Sequence, residues 1–133
     1  MKSKFLVGLF SISALLLFST KAVAEQQKEM IKKVEMGSIN PAMVNVGKSL
    51  FNSKCLMCHN LDQNKVGPAL RNVTKERTPE YIMNVLLNTV KMQKTDPVYK
   101  GLLVKFKNVP MPDPKFSEAQ ARSVLEYLRS VAK

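Results

Sequence analysis

Cys55-Leu56-Met57-Cys58-His59 is the stretch that decides how this chain is read. Two thiols three positions apart can each add to one vinyl group of the same haem, forming thioethers. The imidazole that follows is then held under the iron as an axial ligand, so C-x-x-C-H reads as an attachment site for one covalent haem c and its iron. Rival readings of the two cysteines fail on counting. A zinc site needs four ligands, and the sequence has two Cys and one His in all. A thioredoxin-like pair needs a βαβ setting, and a disulfide closing so short a loop would constrain almost nothing in the unfolded chain. His59, the only histidine, has no competitor as proximal ligand. Its other ring nitrogen should be held by a backbone acceptor, as in metal-bound imidazoles generally.

Upstream of the motif, Asn40-Pro41 supplies a cap and a proline suited to the first helical position. Met43, Val46, Gly47, Leu50 and Phe51 then mark one helix face, and the row Gly47–Phe51–Cys55 aims it at the cysteines. Downstream, Asn60 to Thr74 has loop composition with Gly67-Pro68 at its centre. Thr78-Pro79 starts a helix with Ile82, Val85, Leu86 and Thr89 as its stripe, and Asp96-Pro97 starts another carrying Leu102, Leu103 and Phe106. Alternating prolines hold Val109 to Pro114 extended. Ser117 and Gln120 form a capping box, and Ala121, Val124, Leu125 and Leu128 give the last helix one apolar face. No strand alternation or repeat is present. The pattern predicts an all-α domain over 41–133, with four or five short helices around one covalent haem.

The sixth ligand follows by elimination. A second His does not exist, which leaves the methionines. Met57 lies inside the attachment loop, Met43 sits on the first helix's apolar face, and Met30 and Met36 belong to a Lys/Glu/Gln-rich stretch over 25–40 that reads as a charged extension or loosely held tether. Met83 falls one residue off its stripe, and Met92 follows among Lys91, Gln93 and Lys94 as the runner-up. Met111 stands between two prolines on a stiff segment with no competing helix bonds, and is the expected axial ligand.

At the N-terminus, Lys2 and Lys4, an apolar run from Phe5 to Phe18, and Ala22-Val23-Ala24 have the three parts of a secretory signal over 1–24. The run is too short for a spanning helix. A periplasmic or otherwise exported protein with no membrane span after cleavage is expected. Removing Lys2, Lys4 and Lys21 from a net charge of +11 leaves +8 on a mature chain of 109 residues. Export disfavours nucleic acid as the target of that charge. Acidic protein partners are the expected targets, and the spread of the charges also fits a solvated surface.

From Gly47 to the C-terminus the sequence resembles the class I c-type cytochromes. Gly47, Phe51 and the Cys55–His59 motif match the family's first helix and haem site. Val66-Gly67-Pro68-Ala69-Leu70 is similar to its proximal loop, which implies that the Pro68 carbonyl accepts from His59. Pro110-Met111-Pro112 is similar to its distal loop, implying Met111 independently. Leu125-Glu126-Tyr127-Leu128 resembles the terminal helix, which implies close approach at Gly47. His/Met ligation raises the potential and fills both axial sites. The expected function is therefore a monomeric, non-enzymatic carrier of single electrons between respiratory redox partners. The alternative is a gas or peroxide sensor, or a small haem enzyme, with a displaceable sixth ligand.

Overall fold

The computed structural model describes residues 29–133; the leader read over 1–24, and its cleavage site, lie outside them. Among the described residues there are six α-helices and no strand. They are α1 (Pro41–Lys54), α2 (Val73–Glu76), α3 (Pro79–Leu87), α4 (Thr89–Thr95), α5 (Pro97–Lys105) and α6 (Glu118–Val131). The all-α expectation holds. The count exceeds four or five because α2 forms at the end of the long loop, and because the stretch read as one helix from Thr78 breaks at Asn88 (φ −126°, ψ 35°). No helix among the described residues is long and apolar enough to cross a membrane.

The helix starts follow local chemistry. Asn40, Thr78 and Asp96 each precede a proline and accept a backbone N–H of the first turn. Pro at that position loses nothing, since its missing N–H would have been unpaired. At α6, Ser117 and Gln120 close the full reciprocal box, at 3.2 and 2.9 Å.

The frame of the domain is α1 packed along α6, with α3 against α6 and α4 against α5. Gly47 allows this approach. A Cβ there would overlap the Ser123 carbonyl and lie 2.9 Å from the Tyr127 Cβ. One turn on, Phe51 is fully buried with its ring 5.3 Å from that of Tyr127. The expected row Gly47–Phe51–Cys55 is buried throughout, whereas Val46 is 51% exposed and Val44 packs against the core instead. We expect Gly47→Ala to force α1 off α6 and cost about 1–3 kcal/mol, as overpacking usually does. Gly101→Ala, in open space on α5, should stabilise by up to about 1 kcal/mol. Thermal melts of the two variants should therefore move in opposite directions.

The described part of the extension, residues 29–40, is bound and not loose. Ile31 exchanges two hydrogen bonds with the Asn84 side chain, at 2.8 and 2.9 Å, and the Val34 N–H donates to Glu80 at 2.8 Å. Ile31, Val34 and Met36 pack against the core. The other edge is held by Glu126, a carboxylate only 1% exposed, which accepts from Arg122 at 3.0 Å and Arg129 at 2.8 Å. Each arginine also donates to a carbonyl of the extension: Arg122 to Glu35 at 2.9 Å, Arg129 to Gly37 at 2.8 Å. A buried carboxylate is tolerable because both cations pair with it. This cover explains why Met83 and Asn84, off the helix's apolar stripe, are as buried as Ile82 and Leu86 on it.

Candidate haem crevice

The helices enclose a crevice of about 490 Å³, within the range of small-molecule and cofactor sites. Its walls are mostly apolar, with Ile82, Val85 and Leu86 from α3, Leu102 and Leu103 from α5, and Leu128 from α6. Cys55, Cys58, His59, Pro68 and Met111 all line it. Five residues spread over 57 positions are thus brought to one cavity.

The cysteines follow directly from the end of α1, where the Cys55 N–H still bonds the Phe51 carbonyl at 2.8 Å and the His59 N–H bonds Cys55 at 2.8 Å. This single turn sets both sulfurs and the imidazole along the crevice. Neither thiol is in a disulfide. Burial, and then the neighbouring Cys58, push the Cys55 thiol up to about 11. A reactive dithiol has the reverse property, a thiol lowered towards neutrality. Among the described residues there is no group of three or more His, Cys, Asp or Glu placed to hold a metal ion.

His59 is oriented by the loop after it. Gly67 N–H bonds the Cys58 carbonyl at 2.9 Å, Leu70 bonds Asn60 at 3.0 Å, and the Asn64 side chain accepts from Ala69 at 2.9 Å. Folded in this way, the loop brings the Pro68 carbonyl 2.9 Å from His59 Nδ1. The ring must donate there, so Nε2 keeps its lone pair, the tautomer a metal ligand needs. Burial holds the imidazole below its ordinary value, with the Pro68 bond pulling the other way. Gly67 lies flat against the ring: a Cβ would come 2.9 Å from Nδ1 and closer still to Cε1. That role could not be read from Gly-Pro as a mere turn.

Met111 reaches the crevice from the proline-rich segment, while Met92 is 3% exposed in the α4 interior and does not line the cavity. The segment is fixed by a residue sequence reasoning passed over. Gln93 Nε2 donates to the Met111 carbonyl at 2.6 Å. Lys107 and Asn108 (both φ 58°) and Lys115 (φ 56°) take the left-handed conformation at its two ends. Lys107 ends α5 where glycine is usual, with the Asn108 N–H reaching back to Leu103 at 2.7 Å. Only Asn108 carried a signal for this, since Asn tolerates positive φ. Among the lysines, Lys54 and Lys115 line the crevice, and Lys65 and Lys107 do not.

The donor set fits a haem: two thiols on one turn, an imidazole of fixed tautomer, a thioether from another segment, and apolar walls between them. The comparisons agree. The cytochrome c family model matches residues 44–132. Cytochrome c-551 of Stutzerimonas stutzeri is 29% identical over 110 residues, covering 79% of this chain and 98% of that protein. A solved cytochrome c from Rhodothermus marinus is 48% identical with a TM-score of 0.74, covering 77% of this chain and 88% of that one. An engineered form of it, bound to a carbene intermediate, is 47% identical with a TM-score of 0.71, covering 77% of this chain and 88% of that one. With this crevice and these matches, the chain belongs to the cytochrome c family, whose members bind covalent haem c and carry electrons.

Proposed function

We propose that the chain is exported and carries single electrons between respiratory redox proteins. In this reading Cys55 and Cys58 form the two thioethers, and His59 and Met111 are the axial ligands. One observation carries it: the Pro68–His59 bond leaves Nε2 free in the crevice that Met111 also lines. Bound haem supplies the one-electron exchange between ferric and ferrous iron. The chain's own part is positional. His59 is held by Pro68 and Gly67, Met111 by Gln93, and the α3 and α5 side chains keep water from the crevice. Fixed ligands on both sides mean little rearrangement between oxidation states, which suits a carrier.

Docking to acidic partners is supported by Lys54 and Lys115 at the crevice and by the positive chain. Steering of this kind acts over about 8–10 Å at physiological salt. The rate with the native reductase or oxidase should therefore fall steeply as ionic strength rises. Lys54→Glu should slow it further, and Lys32→Glu and Lys33→Glu on the extension should slow it less. A rate indifferent to salt, or equal losses at both places, would leave the lysines a solvating role only.

A second reading, catalysis or ligand sensing at an opened sixth site, is favoured by the engineered Rhodothermus relative with its bound carbene. Carbon monoxide titration of the ferrous protein separates the two. A carrier with Met111 in place should bind it weakly.

A further inference from the structure

The segment that carries Met111 offers few backbone groups by which to hold it. Pro110, Pro112 and Pro114 have no N–H, so from Pro110 to Pro112 the only main-chain donor is that of Met111. At the two ends, Lys107, Asn108 and Lys115 take the left-handed conformation without being glycine. Such a stretch keeps one place only where its surroundings fix it. The fixing groups come from the corner between α4 and α5. From α4, Gln93 Nε2 donates to the Met111 carbonyl at 2.6 Å. The same amide nitrogen lies 3.5 Å from the hydroxyl of Tyr99, six residues on and in the first turn of α5. That hydroxyl in turn is a hydrogen-bond neighbour of the Met111 N–H. Tyr99 is 7% exposed and lines the crevice.

We propose that Gln93 and Tyr99 form a clip on the two peptide groups that flank Met111, one gripping its carbonyl and the other its N–H, and that this clip sets how firmly the sulfur stays in the crevice. The amide contact between the two side chains joins the grips into one unit, so loss of either weakens the other. If the segment swings away, the Gln93 amide and the Tyr99 phenol lose partners beside an apolar crevice, which opposes the departure of Met111. Tyr99 is thus a positioning residue that acts through the main chain, and the sulfur needs no donor of its own.

This role rests on Met111 as the axial ligand, whereas the clip itself can be read without that assignment. In ¹⁵N-labelled ferrous holoprotein, Tyr99→Phe should move the Met111 amide proton upfield and speed its hydrogen exchange about threefold to tenfold, the measure of one net hydrogen bond. The saturating rate at which imidazole binds the ferric protein reports the departure of Met111. It should rise by a similar factor in Tyr99→Phe and in Gln93→Ala, the second variant should Tyr99→Phe mature poorly. The double variant should gain less than the product of the two. Val34→Ala, which trims the core under the extension, should move neither readout. A Met111 amide unmoved by Tyr99→Phe would overturn the clip, and so would an imidazole rate equal to that of the wild type in both variants. A shifted potential and methionine–iron band with the amide exchange unchanged would assign the hydroxyl to the sulfur and overturn it as well. Should the wild-type protein lack the methionine–iron band, the axial reading fails, and the amide exchange still decides the clip.

Discussion

The double variant Cys55→Ser/Cys58→Ser is expected to carry no haem through acid–acetone extraction, and to lose most of its cooperative fold as well. The second half follows from magnitude. Without the group the crevice is a hole of about 490 Å³. At roughly 24 cal/mol per Å³ a dry cavity of that size costs about 12 kcal/mol. Water entering the open mouth makes this an upper bound, yet it rivals the whole stability of an ordinary domain, roughly 5–15 kcal/mol. Serine is close to cysteine in size, so packing loss at α1 is small, and the hydroxyl it adds at buried Cys55 costs at most about 1–3 kcal/mol, well below the cavity term. Each single variant retains one thioether and should mature poorly. The wild-type chain should exceed its polypeptide mass by one haem. A colourless wild-type protein with a Cys55–Cys58 disulfide would end the haem reading, and a haem-free double variant that melts as sharply as the wild type would end the cavity argument.

Much of the site was legible because its parts are local or chemically rare. C-x-x-C-H is both. Gly47, Phe51 and Cys55 share a helical row, and the caps at Asn40, Thr78, Asp96 and Ser117 are each decided within four residues. What escaped depends on distant neighbours. Residues 29–40 read as a charged tether because their composition is polar, but the bonds that hold them come from the side chains of Asn84, Glu80, Arg122 and Arg129. Helix periodicity says nothing of such partners. Met83 was set aside for lying off the apolar stripe, yet a helix covered on a second flank buries more than one stripe. Gln93 counted only as polar context against Met92, although its reach to the Met111 carbonyl is what makes it useful.

Met111→Ala is expected to remove the sulfur-to-iron charge-transfer band of the oxidised protein, while Met92→Ala keeps it. The two substitutions delete the same side chain, and their different places predict different losses. Met92 is buried in α4, away from the crevice. Its truncation should cost about 2–5 kcal/mol of stability with the spectrum unchanged. Met111 is only partly buried on an extended segment, so its truncation removes little packing but strips a thioether from the cavity. Thioether ligation favours the reduced metal, and axial ligands tune haem over roughly 0.8 V. The potential of Met111→Ala should therefore fall substantially, and imidazole and carbon monoxide should bind readily at the opened position. Met111→His should restore a low-spin iron at a lower potential than the wild type. Gln93→Ala, which frees the Met111 carbonyl without touching the sulfur, should fall between: the band present, but lost at lower imidazole concentration than in the wild type. If Met92→Ala abolishes the band and Met111→Ala keeps it, the axial assignment is wrong, and the strained, proline-bracketed segment needs another explanation.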